Sequence, residues 1–135
     1  MDHETLLAMT SGDYEQALSL GQQAWQRAVG RSDRKNMAMA GYGLTSGLMA
    51  QGNYETALQV AQETLALTKA AGNRWLMAYI YSELGRINQA LGNLSAASDY
   101  YQASYSLKEA LNDPEGMALA LNYRGEITLA QGAYQ

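Results

Sequence analysis

The sequence predicts an all-α protein, an α-solenoid of antiparallel helix pairs with about three repeats and incomplete ends. The seven residues GNYETAL at 52–58 have an upstream copy at 12–18 and a diverged copy at 92–98. With a partial copy at 132–135, the glycines that begin these stretches fall every 40 residues. A fixed period in this range is typical of stacked supersecondary units. A single proline and the lack of alternating β-branched runs favour helix over strand.

Turn residues divide the chain into helices. Residues 2–10 have the apolar spacing of the second half of a helix, and further helices are predicted over 14–29, 34–50, 54–70, 74–91, 94–111 and 114–131. Asp13 is a candidate N-cap, and Gly72 is predicted to end a helix in the left-handed region. The run Asn112-Asp113-Pro114 has the order of stop, cap and first-turn proline. One repeat domain over 1–135 follows, with units of about 1–33, 34–73, 74–113 and a truncated 114–135.

Superposition of the units at 40 residues shows which positions recur. Met37, Met77 and Met117 share one position, and alanine recurs at 17, 57 and 97 on the second helix of each pair. Small residues permit the close approach of helices, and methionine fills irregular gaps in a core. Glycines in the segment 41–47 predict a hollow in the first helix of the unit 34–73, and Trp25 is the residue expected to fill it.

Several of these residues resemble the motifs of the tetratricopeptide repeat family. Leu84-Gly85 is similar to the family's Leu-Gly pair on the first helix, and Gly52-x-Tyr54 is similar to its turn motif. Ala97 and Tyr101 match the alanine and aromatic positions of the second helix. The resemblance implies a right-handed superhelix and a scaffold that binds proteins or peptides. Thr45 departs from the glycine position, and a period of 40 exceeds the usual length of about 34. Longer-period members include kinesin light chains, polarity adaptors and bacterial signalling proteins.

Composition argues against several classes of function. Net charge is −4 without a dense basic cluster, which disfavours nucleic acid as a partner. Cysteine is absent, the single histidine is His3, and no catalytic set or metal-ligand spacing is present, so we expect no enzyme activity and no cofactor. The glycines at 41, 43 and 47 do not match a dinucleotide fingerprint. Glu83 and Glu126 are interpreted as solvated. The absence of a long apolar run and of a leader predicts a cytoplasmic protein with no membrane partner.

The resemblance also implies a concave face lined by the first helix of each pair. Carrying the family's groove positions onto this chain predicts a partner-binding surface of Met39, Tyr42, Ser46, Met49, Tyr79, Ser82, Arg86, Gln89, Leu119, Asn122, Glu126 and Leu129. Aromatic, methionine and amide side chains suit a docked peptide or helix, which Arg86 would orient. The clamp by which some members hold a terminal carboxylate uses several lysine, arginine and asparagine side chains, and only Arg86 and Asn122 are available for it, so this sub-function is disfavoured.

Two hypotheses for function follow. The first is a non-catalytic protein- or peptide-binding module within a larger signalling or regulatory protein. The alternative is a structural module that forms homo-oligomers through its uncapped terminal helices, since stacked repeats bury their apolar faces only against neighbours. For that alternative the expected contact residues are Trp75, Leu121, Tyr123 and Ile127.

Overall fold

Six α-helices make up the part of the chain that the structure, a computed structural model, describes: residues 14–30 and 34–132. They are α1 (Tyr14–Gly30), α2 (Arg34–Ala50), α3 (Tyr54–Ala71), α4 (Arg74–Ala90), α5 (Leu94–Ala110) and α6 (Pro114–Gly132). Each bound lies within one residue of the prediction, and the all-α fold class is confirmed. The half-helix predicted at 2–10 and the cap at Asp13 lie outside the described residues.

Glycines with positive φ end three of the helices or form the turns after them. Gly52 (φ 79°) and Gly92 (φ 83°) occupy equivalent turns, and Gly72 (φ 68°) ends α3 in the left-handed region as predicted. At the first turn the backbone N–H of Asn53 donates to the backbone carbonyl of Leu48 at 2.9 Å. At the second turn the backbone N–H of Asn93 donates to the backbone carbonyl of Asn88 at 2.8 Å. The amide thus reaches back over the left-handed residue and satisfies a carbonyl of the last helical turn. A side chain at any of the three glycines would be strained.

The turn between α5 and α6 also contains a residue with positive φ, but that residue is an asparagine and not a glycine. Asn112 has φ 58°, a conformation that asparagine tolerates better than most residues. The Asp113 side chain then accepts a hydrogen bond from the Gly116 amide at 3.0 Å, which caps α6, and Pro114 is the first helical residue. The predicted stop, cap and first-turn proline are confirmed. Gly132, predicted to open another turn, is the last residue of α6.

The chain divides into two compact units, 1–73 and 74–135. In the first unit α1 packs against α2, and α2 packs against α3. A Cβ atom added at Gly41 would collide with the Thr64 side chain, so α3 fills the α2 surface at that glycine. Trp25 itself is half-buried, and its contact with Gly43 or Gly47 stays a prediction.

In the second unit α4 packs against α5, and α5 packs against α6. Tyr101 of α5 lies at the centre and is fully buried. A Cβ atom added at Gly85 would lie 2.6 Å from the Tyr101 Cδ1 atom, so glycine is required where this ring crosses α4. On the other side, Tyr101 and Ala97 form a cluster with Ile127 of α6, and the Tyr123 ring stacks on the Tyr101 ring at 5.0 Å.

The first unit places different residues at the positions equivalent to Gly85 and Tyr101. Thr45 stands 40 residues before Gly85, and Ala61 stands 40 residues before Tyr101. Both are fully buried. A larger residue on the first helix of the pair therefore coincides with a smaller one on the second. Because close packing penalises a change in total volume, this exchange explains why Thr45 is tolerated where the family motif has glycine.

Matched substitutions at two equivalent glycines test the close approach of Tyr101. We expect Gly85→Ala to lower the free energy of unfolding by about 1–3 kcal/mol, because its methyl group overlaps the Tyr101 ring. Gly125→Ala, 40 residues later, should raise it by up to about 1 kcal/mol. A Cβ there meets no described atom within 4 Å apart from its chain neighbours and the backbone of its own helix, and alanine favours helix. Urea denaturation measures both, and equal effects of the two substitutions would contradict the interpretation.

Candidate functional site

Three exposed side chains form a stripe along α4. Trp75, Tyr79 and Arg86 follow helical spacing, and we call them the α4 stripe. Trp75 is 50% exposed and Tyr79 is 39% exposed. Their rings stack with centroids 5.8 Å apart and an interplanar angle of 15°. The mutual stacking already orders these two large aromatic side chains at the surface. The stacked Trp75 therefore loses less rotamer freedom when a partner binds than an unstacked tryptophan would.

A buried polar network lies beside this stripe, between α4 and α5. The Lys108 amine donates to the Ser82 hydroxyl at 3.3 Å, and the Ser82 and Ser104 hydroxyls are 2.7 Å apart. The Ser104 hydroxyl donates to the Ala78 carbonyl at 2.9 Å, which leaves Ser82 as the donor to Ser104. The Lys108 amine also lies 5.3 Å from the centre of the Tyr79 ring. Burial lowers the pKa of Lys108, and the Asp113 carboxylate opposes that shift.

This network corrects the prediction for Ser82. The Ser82 side chain is 6% exposed and is hydrogen-bonded to both Ser104 and Lys108. It therefore does not line an open surface, contrary to the prediction. Gln89 is also engaged, since its side-chain carbonyl accepts a hydrogen bond from the Tyr101 hydroxyl at 2.8 Å. Burial, followed by the neighbouring Tyr123, raises the pKa of Tyr101, which keeps that hydroxyl a donor. Tyr79 and Arg86 are the two predicted groove residues of α4 that are exposed.

Glu83 is buried, which contradicts its interpretation as solvated. It is 7% exposed, and its Oε1 atom accepts a hydrogen bond from Arg86 at 3.3 Å. Its Oε2 atom has no hydrogen-bond partner among the described residues. Burial raises the pKa of Glu83 above its ordinary 4.5, and the Arg86 charge and hydrogen bond act in the opposite direction. Arg86 is half-exposed, so solvent screens much of its effect. Glu126 is exposed as expected.

Helix α6 has one covered and one open side. Leu119, Asn122, Glu126 and Leu129, the predicted groove residues, are all exposed, Leu129 by 78%. Among the residues predicted for self-association, Leu121 is 50% exposed, but Ile127 is 1% exposed and Tyr123 packs on Tyr101. The predicted exposure is therefore wrong for Ile127, which is buried against α5, whereas Tyr123 is partly buried and its role in self-association stays a prediction.

In the first unit the predicted groove residues are less open. Met39, Tyr42, Ser46 and Met49 are all partly buried on α2. The glycines at 41, 43 and 47 lie inside that helix and not in a loop, so no phosphate-binding turn exists there. In the described residues no three histidine, aspartate or glutamate side chains come together as a metal site would need. No helix there has the length and apolar character to cross a membrane.

The comparison with known families agrees with this geometry. The sequence profile of the tetratricopeptide repeat family matches residues 37–110, more than half of the chain. The chain belongs to the tetratricopeptide repeat family. Tetratricopeptide repeats form scaffolds for protein–protein interaction, and the family is not a catalytic one. No curated protein matches the chain.

Sequence reasoning missed two charged residues of this tetratricopeptide repeat protein. Lys108 and Glu83 are buried, although charged side chains are normally read as surface. A signal for Lys108 was present, because its equivalents at 28 and 68 are Ala28 and Thr68, which mark a buried position. The equivalents of Glu83 are Gly43 and Tyr123, which also fit a packed position better than a solvated one.

The raised pKa of Glu83 generates a prediction of pH dependence. In the folded state Glu83 holds its proton above the pH at which the unfolded chain releases it, so its contribution to stability is present at low pH. That contribution is lost as pH rises through the raised pKa. We expect Glu83→Met to raise the free energy of unfolding by about 1–3 kcal/mol at pH 7, because it removes a buried oxygen without a partner.

The gain from Glu83→Met should shrink as the pH is lowered toward 4, where wild-type Glu83 becomes neutral. Thermal unfolding across this pH range measures it. Glu63→Met on α3 is the matched control, because Glu63 is exposed and its replacement should leave stability within about 0.5 kcal/mol. A gain that is the same at pH 4 and pH 7 contradicts the assignment of the effect to ionisation.

Proposed function

We propose that this protein is a non-catalytic scaffold that binds a protein or peptide, and that it serves within a larger signalling or regulatory protein. Membership of the tetratricopeptide repeat family supports the general role. The resemblance to long-period members supports the signalling context. The observation that carries the proposal for a site is the exposed, stacked pair of Trp75 and Tyr79 in line with Arg86.

The chemistry of the α4 stripe suits a peptide segment with apolar and acidic groups. Tryptophan, tyrosine and arginine are the side chains most enriched among residues that dominate binding energy. The stacked rings present an apolar surface, and the half-exposed Arg86 offers guanidinium hydrogens beyond the one used by Glu83. A peptide would place an apolar side chain on the rings and a carboxylate or carbonyl on Arg86. In the first unit, Met39, Tyr42, Ser46 and Met49 are proposed as a separate contribution.

A double substitution tests this surface. Trp75→Ala with Arg86→Gln removes the outer ring and the charge, while the glutamine amide still has hydrogens to donate toward Glu83. We expect the affinity for a natural partner to fall at least tenfold, as for other dominant interface residues. Affinity capture from lysate of the expressing cells, with quantitative mass spectrometry, compares this variant with the wild type.

Leu91→Ala serves as the matched control, because Leu91 is an exposed apolar residue of the same unit outside the stripe. Proteins that bind through the stripe are retained by wild type and by Leu91→Ala but lost by the double variant. Circular dichroism checks that all three chains are equally folded. Equal recovery on all three would place binding elsewhere on the molecule.

Self-association through α6 is a second candidate function, favoured by the exposed leucines at 119, 121 and 129. We expect sedimentation velocity over about a hundredfold concentration range to show a larger species at the highest concentrations. Leu121→Gln with Leu129→Gln should abolish it, because the substitutions remove apolar area that drives association. A monomer at every concentration removes this candidate.

A further inference from the structure

Lys108 of α5 is a buried cation for which the second unit makes room. It is 1% exposed, and taking an ammonium group out of water is costly unless other groups compensate. Where the lysine stem passes α6, a Cβ atom added at Gly116 would lie 2.6 Å from the Lys108 Cδ atom. Helix α6 therefore has a glycine where it faces the lysine, and the ammonium group reaches Ser82 and Tyr79 on α4.

The repeat itself does not require a cation at this position. In the first unit the equivalent residue, on α3, is Thr68, which is also fully buried. Its hydroxyl donates to the Leu65 carbonyl of the same helix at 2.8 Å, so an uncharged residue fills the position there. The residue equivalent to Tyr79 in that unit is Met39. The buried lysine thus occurs in the unit that also has the exposed aromatic ring facing it.

The charge of Lys108 is not neutralised by a salt bridge. Its amine donates a hydrogen bond to the Ser82 hydroxyl, which is a neutral acceptor. The Asp113 carboxylate acts on Lys108 through its charge, but the two side chains do not form a salt bridge. Asp113 instead accepts a hydrogen bond from the backbone N–H of Gly116. The lysine charge therefore acts on its surroundings through the protein interior, where salt screens it less than at the surface.

The Tyr79 ring connects this charge to the α4 stripe. Its centre lies 5.3 Å from the Lys108 amine, and the ring stacks on Trp75 at 5.8 Å. Attraction between the ammonium group and the π electrons favours one orientation of Tyr79, and Trp75 stacks on the ring in that orientation. Arg86 adds a second, half-exposed cation, whereas the Glu83 carboxylate beside it is buried. The stripe therefore exposes rings and positive charge, while its own carboxylate is covered.

We propose that Lys108 is a positioning residue of the α4 stripe: its buried ammonium group holds Tyr79 against Trp75 and makes the stripe prefer acidic peptide segments to basic ones. The inference rests on the proposed binding function and adds the charge of the partner and the residue that selects it. A carboxylate beside the rings is attracted by both Lys108 and Arg86. A cationic side chain is repelled by both, and it meets a Tyr79 ring whose π electrons already interact with an ammonium group.

Fluorescence quenching measures the electrostatic potential at Trp75 without a natural partner. In the full chain with Trp25→Phe, Trp75 is the single tryptophan. Iodide, caesium and neutral acrylamide are the quenchers, at constant ionic strength, and each is normalised to its effect on N-acetyltryptophanamide. We expect iodide to quench Trp75 more strongly than caesium, because the cations beside the rings attract the anion. Removal of the Lys108 charge should lower the ratio of iodide to acrylamide quenching by about twofold.

Lys108→Met removes the charge and keeps an unbranched side chain of similar size. Arg27→Met is the matched control, because it takes an exposed cation from the first unit and changes the net charge of the chain equally. We expect Lys108→Met to lower the iodide ratio and to weaken the near-ultraviolet circular dichroism of the stacked rings, and Arg27→Met to change neither. Urea denaturation verifies the fold of both variants. Should Lys108→Met not fold, Lys108→Thr introduces the residue that occupies this position in the first unit.

Two synthetic peptides test the preference for charge, acetyl-ELELE-amide and acetyl-KLKLK-amide. Each is titrated into the isotope-labelled full chain and followed by amide chemical shifts. We expect the acidic peptide to shift residues 75–86 and the basic peptide to bind at least about fivefold more weakly there. Because the net charge of the chain is −4, a preference for the acidic peptide reports the local charge of the stripe. Lys108→Met should reduce the preference, and Arg27→Met should preserve it.

The other outcomes overturn the inference. A loss of stability in Lys108→Met with an unchanged iodide ratio shows that the lysine has a purely structural role. Equal binding of the two peptides, tighter binding of the basic one, or a preference that survives Lys108→Met rejects the selection of acidic segments. Absence of shifts with either peptide at about 1 mM rejects it as well. The capture experiment with Trp75→Ala and Arg86→Gln judges the proposed function separately, so that function stands or falls on its own.

Discussion

The second unit depends on the contact between the Tyr101 ring and Gly85. Because glycine has no side chain, the ring lies directly on the α4 backbone and fixes the separation and register of α4 and α5. Its hydroxyl is satisfied by Gln89, one turn further along α4, so the ring has one orientation. The opposite side of the ring stacks on Tyr123, which positions α6. One aromatic side chain therefore joins three helices, and its burial alone is worth roughly 1.5–3 kcal/mol.

The buried hydroxyl groups of the two units are satisfied in different ways. In the first unit Thr45, Thr64 and Thr68 each donate to a carbonyl of their own helix, at 2.7–2.8 Å. Such bonds make no demand on the neighbouring helix. In the second unit the bonds of Ser82, Ser104 and Lys108 run between α4 and α5 and hold only in one register. The volume exchange between Thr45 with Ala61 and Gly85 with Tyr101 accompanies this difference, so repeats of similar backbone reach stability by different side-chain chemistry.

Most of the helices and turns were predictable because they follow from local rules. Glycine at 52, 72 and 92 ends or follows a helix at three of the four described positions with positive φ, and Asn112 occupies the fourth. The helical spacing of apolar residues predicts the helices between them. The exposure of individual side chains was less predictable. Helix α6 has apolar residues all round, and periodicity does not distinguish the side that Ile127 buries from the side that Leu121 leaves open. Residue type alone places Glu83 and Lys108 on the surface, and only comparison with the equivalent positions of the other units indicates that they are buried.

The contact between the Tyr101 ring and Gly85 also shows what a surface that recognises a helix requires. A surface that recognises a helix must offer a gap for a large side chain and apolar area around it, since binding has to offset the ordering of the partner segment. On α4 that gap is Gly85, and the Tyr101 ring of the same unit already fills it. The α4 stripe offers a different surface, with ordered rings and a cation but no gap. Stacked rings beside a cation are the chemistry from which we infer a peptide partner for the stripe, because apolar side chains can lie on the rings and a carboxylate can reach Arg86.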